Sequence, residues 1–212
     1  MVWGRSPGGS GIFSDPGPPE TGPGIAGGLF ARALAPRVDR SARCSYGCPM
    51  SNQLDDNPPE QVTLRDVTPA DLPALFRFQS DPEANRMAVV NPRGLDEFNA
   101  FWKTVLSDPG VVAKAVVVDG TVVGNISCFQ MDGLDSVGYW IDREYWGRGI
   151  AKRSLALLLE EVAIRPLHAR VAAANIGSIR VLQHCGFECV GTQTSEADDR
   201  FPACEESLFE LR

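Results

Sequence analysis

A chain of 212 residues with 43% hydrophobic content and a formal charge of −7 can fill one good core but not two large ones. No apolar run approaches the roughly 18–20 residues of a membrane span, so no membrane segment is expected. The acidic balance argues against a general nucleic-acid binder, which draws its affinity from clustered Lys and Arg.

Charge and composition both change along the chain. The first 49 residues hold five arginines against three acids, leaving a net −9 on the remainder, a field suited to a cationic partner. Residues 1–57 are rich in Gly and Pro and poor in β-branched and aromatic residues. They are expected to form a disordered extension, with the folded domain over 58–212. MVWGRSPGGSGIFSDPGPPE has no continuous apolar centre of the kind a secretory signal carries. GIAGGLFARALAPRVDRSAR is Arg-rich and acid-poor, as transit peptides are, but shows no amphipathic period; Met50 is an alternative natural start. The six cysteines offer no matching zinc set, so no metal is expected, and they read as thiols of a cytoplasmic protein.

Within the domain, QVTLRDV alternates at Val62 and Leu64 as a strand does. Thr68 then caps a helix with Pro69 at its first position and Leu72, Leu75 and Phe76 on one face. A second helix runs from about Leu95 to Leu106, with Phe98, Phe101 and Trp102 read as core. VVAKAVVVDGTVVGNISCFQ is two strands around the tight turn Asp119–Gly120. DSVGYWID is a third strand, on which Tyr139 and Trp140 alternate, one toward the core and one toward the acceptor side. Ala151, Leu155, Leu158, Leu159 and Val162 trace a helix that ends before Pro166. LHARVAAA is a buried strand, SIRVLQHC a short helix stopped by Gly186, and FECVGTQ and CEESLFEL the last two strands. The order is β-α-α-β-β-β-α-β-α-β-β. The crossover between Val137–Ile141 and Leu167–Ala174 makes those two strands parallel. The expected class is therefore α/β (α+β), a mixed, mostly antiparallel sheet of about seven strands with helices on both faces.

One turn carries chemistry. In YWGRGIAKR, a helix begins just after a strand, leaving its first N–H groups unpaired and the dipole adding partial positive charge. Gly147 and Gly149 remove side chains that would keep an anion off the backbone, while Arg148, Lys152 and Arg153 add formal charge. A phosphate-bearing ligand suits such a cradle. It is not a Walker loop, since G-x4-G-K-[ST] is absent, and it lacks the third glycine and the distant acid of a dinucleotide fingerprint.

YWGRGIA, followed some twenty residues later by ANIGSIRVLQHCGF, resembles the GNAT superfamily of acyl-CoA-dependent N-acetyltransferases, and within it the ribosomal-protein-alanine N-acetyltransferase branch. Trp146, Gly149 and Ala151 stand at the defined positions of the Q/R-x-x-G-x-G/A pattern, with Trp in place of Gln or Arg. Asn175 and Ser178 match N-x-x-S. The resemblance implies that the parallel strands splay and that acetyl-CoA is the cosubstrate. Backbone N–H groups of Gly147, Arg148, Gly149, Ile150, Ala151 and Lys152 would hold its pyrophosphate. The pantetheine arm would lie along Tyr139, Trp140 and Ile141, with the acetyl carbonyl near the N–H of Trp140 or Ile141, an oxyanion site. Asn175 would bond the arm or brace its loop, and Ser178 would be the general acid.

The amine must lose a proton before it attacks, because an alkylamine near pKa ~10.4 is protonated at neutral pH. The departing thiol, at roughly pKa 8.5, needs little acid help. Asp142, directly after the central strand, is the candidate base, with Glu97, Glu196, Asp198 and Asp199 as further acids; His168 and His184 read as structural. The expected activity is acetyl transfer from acetyl-CoA to a primary amine, a protein N-terminus or a small-molecule amine, by direct attack on the thioester. The alternative is an inactive acyl-CoA-binding regulatory domain. A monomer or homodimer is expected.

Overall fold

The computed structural model describes residues 61–212; the expected extension over 1–57 and the alternative start at Met50 lie outside them. Strand β1 (Val62–Asp66) leads into a 3₁₀ turn over Pro69–Asp71 and then α1 (Leu72–Gln79). Asp71 organises this start. Its Oδ2 accepts the Thr68 N–H at 2.8 Å and the Thr68 hydroxyl at 2.9 Å, while both carboxylate oxygens accept the Arg65 guanidinium at 2.7 Å.

A helix that hydrophobic spacing did not announce follows: α2 (Pro82–Ala88), capped by the Asp81 side chain accepting from the Ala84 N–H at 2.8 Å. Helix α3 (Leu95–Ser107) buries Phe98, Phe101, Trp102 and Val105, as their spacing predicts. Strands β2 (Val112–Val118) and β3 (Thr121–Met131) turn at Asp119–Gly120, both with positive φ. Then come β4 (Leu134–Ile141), α4 (Ile150–Glu161), β5 (Leu167–Ala172), α5 (Ile176–His184), β6 (Glu188–Ser195) and β7 (Cys204–Leu211). Strand β5 stops short of Ala174 and α5 starts before Ser178, because Asn175 caps the helix through a bond from the Ser178 N–H at 3.1 Å.

The seven strands form one sheet in the order β1-β2-β3-β4-β5-β7-β6, antiparallel except for β4 and β5. That parallel pair meets at a single register position, Ser136 opposite His168, and then parts. The splay is thus a property of the sheet. Alternation along β4 divides the protein into two cores. Tyr139 and Ile141 join Ile150, Leu155, Leu158 and Ile179 under α4 and α5, whereas Trp140 joins Leu75, Phe78, Phe98 and Trp102 under α1–α3. Tyr139 and Trp140 are each only 1% exposed, so Trp140 is core rather than a wall open to the acceptor side. Gly124, opposite Ile141, allows this close fit: a Cβ there would lie 2.2 Å from the Trp140 carbonyl oxygen.

Among the described residues Cys128 and Cys185 are free thiols. Cys189 is disulfide-bonded, so the reading of every cysteine as a thiol does not hold there. No described helix is long and apolar enough to cross a membrane.

Candidate active site

Strand β4 ends in a 3₁₀ turn over Arg143–Tyr145, and the chain then passes through Trp146, Gly147 (φ 76°) and Gly149 (φ 71°) into α4. Both glycines occupy the left-handed region that side chains disfavour. Gly149 is the N-cap of α4, so no side chain caps the N–H groups of the first turn. A Cβ at Gly147 or Gly149 would meet nothing within 4 Å. The backbone therefore faces open space, as an anion cradle must. The loop is tied at its base, where the Arg153 guanidinium donates to the Arg148 carbonyl at 2.8 Å.

A cavity of about 410 Å³ opens over this turn, within the range of small-molecule sites. One wall is Tyr139, Ile141, Tyr145, Trp146, Gly147 and Gly149 through Lys152. The other is the first turns of α5, with Asn175, Gly177 and Ser178, then Arg180, Val181 and His184. Met87 closes it from α2, which belongs to the opposite face, so the cavity reaches through the gap between β4 and β5. Lys152 and Arg180 bring positive charge to the same space.

The gap also exposes main chain. Asp142 N–H donates to the Val123 carbonyl at 2.8 Å, which sets the phase of the β3–β4 ladder. By alternation the Trp140 N–H also turns toward β3, while those of Tyr139 and Ile141 face the side where β5 has departed. The Ile141 carbonyl on that side is taken by the Trp146 indole N–H at 2.9 Å. Of Trp140 and Ile141, only Ile141 thus offers its N–H to the gap.

Of the residues expected to hold the cofactor, all but Trp140 and Arg148 meet at this cavity. Trp140 sends its indole N–H to the Phe78 carbonyl at 2.9 Å, inside the other core. Arg148 is exposed and lies over the Tyr145 ring at 4.8 Å. Asn175 and Ser178 are each 4% exposed, and the Tyr139 hydroxyl donates to the Ser178 carbonyl at 3.4 Å. Burial pushes the Tyr139 phenol far above its ordinary pKa, so it stays neutral.

The acids are spread more widely. Asp142 lies outside the cavity lining and its carboxylate accepts the Glu144 N–H at 3.3 Å. Glu97 is 63% exposed and pairs with Arg93; Glu196 and Asp199 are exposed; Asp198 accepts the N–H groups of Arg200 and Phe201. His168 sits at the β4–β5 bridge, with Nδ1 3.2 Å from the Asp135 carbonyl. His184 lines the cavity, with Nδ1 2.7 Å from the Arg180 carbonyl. Sequence reasoning missed the wall formed by Gly177, Arg180, Val181 and His184, whose three- and four-residue spacing marks one helix face. It also missed Glu206. This carboxylate is 5% exposed, opposite Ala172 at the C-terminal end of β5, and accepts from the Gln193 amide at 2.9 Å.

Comparison with known proteins agrees with this geometry. The family model described as acetyltransferase (GNAT) domain matches residues 61–188. The chain is 24% identical over 145 residues to an uncharacterized N-acetyltransferase, p20, of Bacillus licheniformis, covering 62% of this chain and 82% of that protein. Its fold is similar to the crystal structure of a ribosomal-protein-alanine N-acetyltransferase from Brucella melitensis (TM-score 0.61, 24% identity, 70% of this chain and 98% of that one). It is also similar to that of the spermidine N-acetyltransferase from Vibrio cholerae in complex with CoA and spermine (TM-score 0.63, 16% identity, 71% and 95%). The open glycine cradle, the parted parallel strands and the family match together place this chain in the GNAT acetyltransferase family, as an N-acetyltransferase that takes its acetyl group from acetyl-CoA.

Proposed function

We propose that this enzyme transfers the acetyl group to a primary amine, on a protein N-terminus or a small molecule, by direct attack of the amine on the thioester. The observation that carries the reading is the open backbone cradle at Gly147–Gly149, set beside a gap into which the Ile141 N–H points. Acetyl-CoA supplies an activated thioester. The N–H groups from Gly147 to Lys152 would hold its pyrophosphate, with Lys152 and Arg180 adding charge at the same cavity. The Ile141 N–H would donate to the acetyl oxygen as negative charge grows on it.

Asn175 orients the start of α5 and so positions Ser178, whose hydroxyl would return a proton to the leaving sulfur. Asp142, the base expected from the sequence, caps the turn after β4 and lies outside the cavity lining. Glu206, also outside that lining, is a buried carboxylate at the C-terminal end of β5, the end at which β4 and β5 part, and is taken here as the candidate base.

The test mixes the protein with acetyl-CoA and a panel of amines, records free thiol and identifies the product by mass. Thiol release above the hydrolysis blank, with product heavier by one acetyl group, is expected for at least one amine. Glu206→Gln should lower kcat by at least about 100-fold and leave the acetyl-CoA Kd as it was. Release at the blank rate with every amine would overturn the reading.

A further inference from the structure

Two arginines far apart in sequence, Arg93 between α2 and α3 and Arg200 between β6 and β7, are brought side by side. Their segments are joined at Asn91. Its N–H donates to the Arg200 carbonyl at 2.8 Å and its side-chain amide to the Asp199 carbonyl at 2.9 Å. The Arg93 guanidinium lies over the buried Phe101 ring at 4.0 Å, and the Arg93 side chain is only 13% exposed. Burial, and then the positive charge of Arg93, hold the Arg200 pKa down at about 10. The charge of Arg93 is therefore felt at Arg200.

The anions at hand do not satisfy them. Glu97 reaches Arg93 Nε from the solvent side at 3.4 Å. Asp198 spends Oδ1 on two backbone N–H groups, at 2.8 and 2.6 Å. Arg93 Nη1 and Arg200 Nε and Nη1 are buried with no acceptor among the described residues. Buried guanidinium donors without acceptors are costly, and two neighbouring cations add repulsion. A carboxylate brought to the pair would relieve both, and its geometry matches the guanidinium fork.

The position is as informative as the charge. The β6–β7 loop leaves the sheet beside the C-terminal end of β5, where the Ala173 N–H donates to the Glu205 carbonyl at 2.8 Å. That is the end at which β4 and β5 have parted. Phe101 and Phe201 belong to the core under α1–α3, and Met87, just before the Asn91 staple, lines the cavity. The arginines thus lie on the α1–α3 side of the sheet, outside the cavity lining and toward the end at which β4 and β5 part.

We propose that Arg93 and Arg200 form a subsite for a carboxylate of the acceptor, so that the preferred amine belongs to an amino acid or an acidic peptide rather than to a polyamine. This rests on the acetyl-transfer reading above and narrows its substrate class.

The experiment compares matched amines. These are amino acids against their amides, peptides with Asp or Glu after the first residue against Asn or Gln, and phosphoethanolamine against ethanolamine. The acids should exceed their amides in kcat/KM by at least about 30-fold, through KM. Arg93→Gln and Arg200→Gln should each collapse that ratio, with acetyl-CoA affinity by calorimetry as the check on folding. Equal treatment of acids and amides by the unaltered protein, or a ratio that survives both substitutions, would overturn the subsite. A larger gain for the phosphate than for any carboxylate would overturn the choice of anion. Failure of every amine would count against acetyl transfer itself. Calorimetric titration of N-acetylated acids against N-acetylated amides then decides the subsite: preference for the acids, lost in both variants, supports it, and equal binding overturns it.

Discussion

Gly149 holds φ at 71° and caps a helix without a side chain, and the space a Cβ would enter is empty. Two costs of filling it can be separated. A β-branched residue in the left-handed region is strained by roughly 1–3 kcal/mol, which affects stability alone. The added bulk shields the N–H groups that an anion must reach, which affects binding alone. Gly149→Val should therefore lower Tm by only several degrees, since about 1 kcal/mol moves a domain of this size by roughly 2–4 °C. The acetyl-CoA Kd should rise at least about 100-fold by calorimetry. An unchanged Kd in the folded variant would remove the cradle from the binding site. In the proposed reaction the donor to the acetyl oxygen would be Ile141 and not Trp140, because neighbouring residues of a strand send their N–H groups to opposite sides.

At the scale of elements, the start of α1 shows how one carboxylate fixes a local structure. Arg65, first, and the Thr68 donors hold the Asp71 pKa at about 2, below its ordinary 3.8. A depressed carboxylate pKa contributes stability that is present above the unfolded value and lost as pH falls through the folded one. The window here is pH 4 to 2. Arg65 is 45% exposed, so solvent screening trims the contribution to about 1–2 kcal/mol. Asp71→Asn should be less stable than the parent by that amount at pH 7 in urea unfolding, and the difference should close as pH approaches 2. A difference that stays constant down to pH 2.5 would mean that the ion pair contributes nothing. This turn was partly legible in the sequence, since Thr68–Pro69 is a start signal, although the first turn is 3₁₀ and the helix proper begins at Leu72. The β2–β3 hairpin and the mouth of α4 were legible for a similar reason: Asp119–Gly120 and Gly147-x-Gly149 are local chemistry. Helix α2 was not. It is seven residues long and shows no apolar period, and only the Asp81–Pro82 pair announced it. The Arg93–Arg200 pair and Glu206 depend on contacts between distant segments, which no window of sequence contains.

For the whole molecule, the decisive feature is a sheet divided in two. Strands β1–β4 and β5–β7 are each tied by antiparallel ladders, and one position, Ser136 opposite His168, joins the halves. The core under α4 and α5 draws side chains from both halves, Tyr139 and Ile141 from one and Leu167, Ala169 and Phe209 from the other, so the gap can remain open without loss of the fold. Opening it leaves strand N–H groups in want of an acceptor, which in a closed sheet β5 would supply. A ligand lying along β4 can take that place. This gives an expectation that hydrogen exchange can read amide by amide. In the free protein the Tyr139 and Ile141 amides should exchange much faster than that of Trp140, which faces the β3 ladder. Acetyl-CoA should slow Tyr139 and Ile141 by at least about tenfold and change Trp140 much less. If Ile141 is already as protected as Trp140 without ligand, the strands close in solution and the path for the pantetheine arm is lost. If Trp140 responds to ligand more than Ile141, the phase of the ladder is reversed, and the oxyanion donor passes to Trp140.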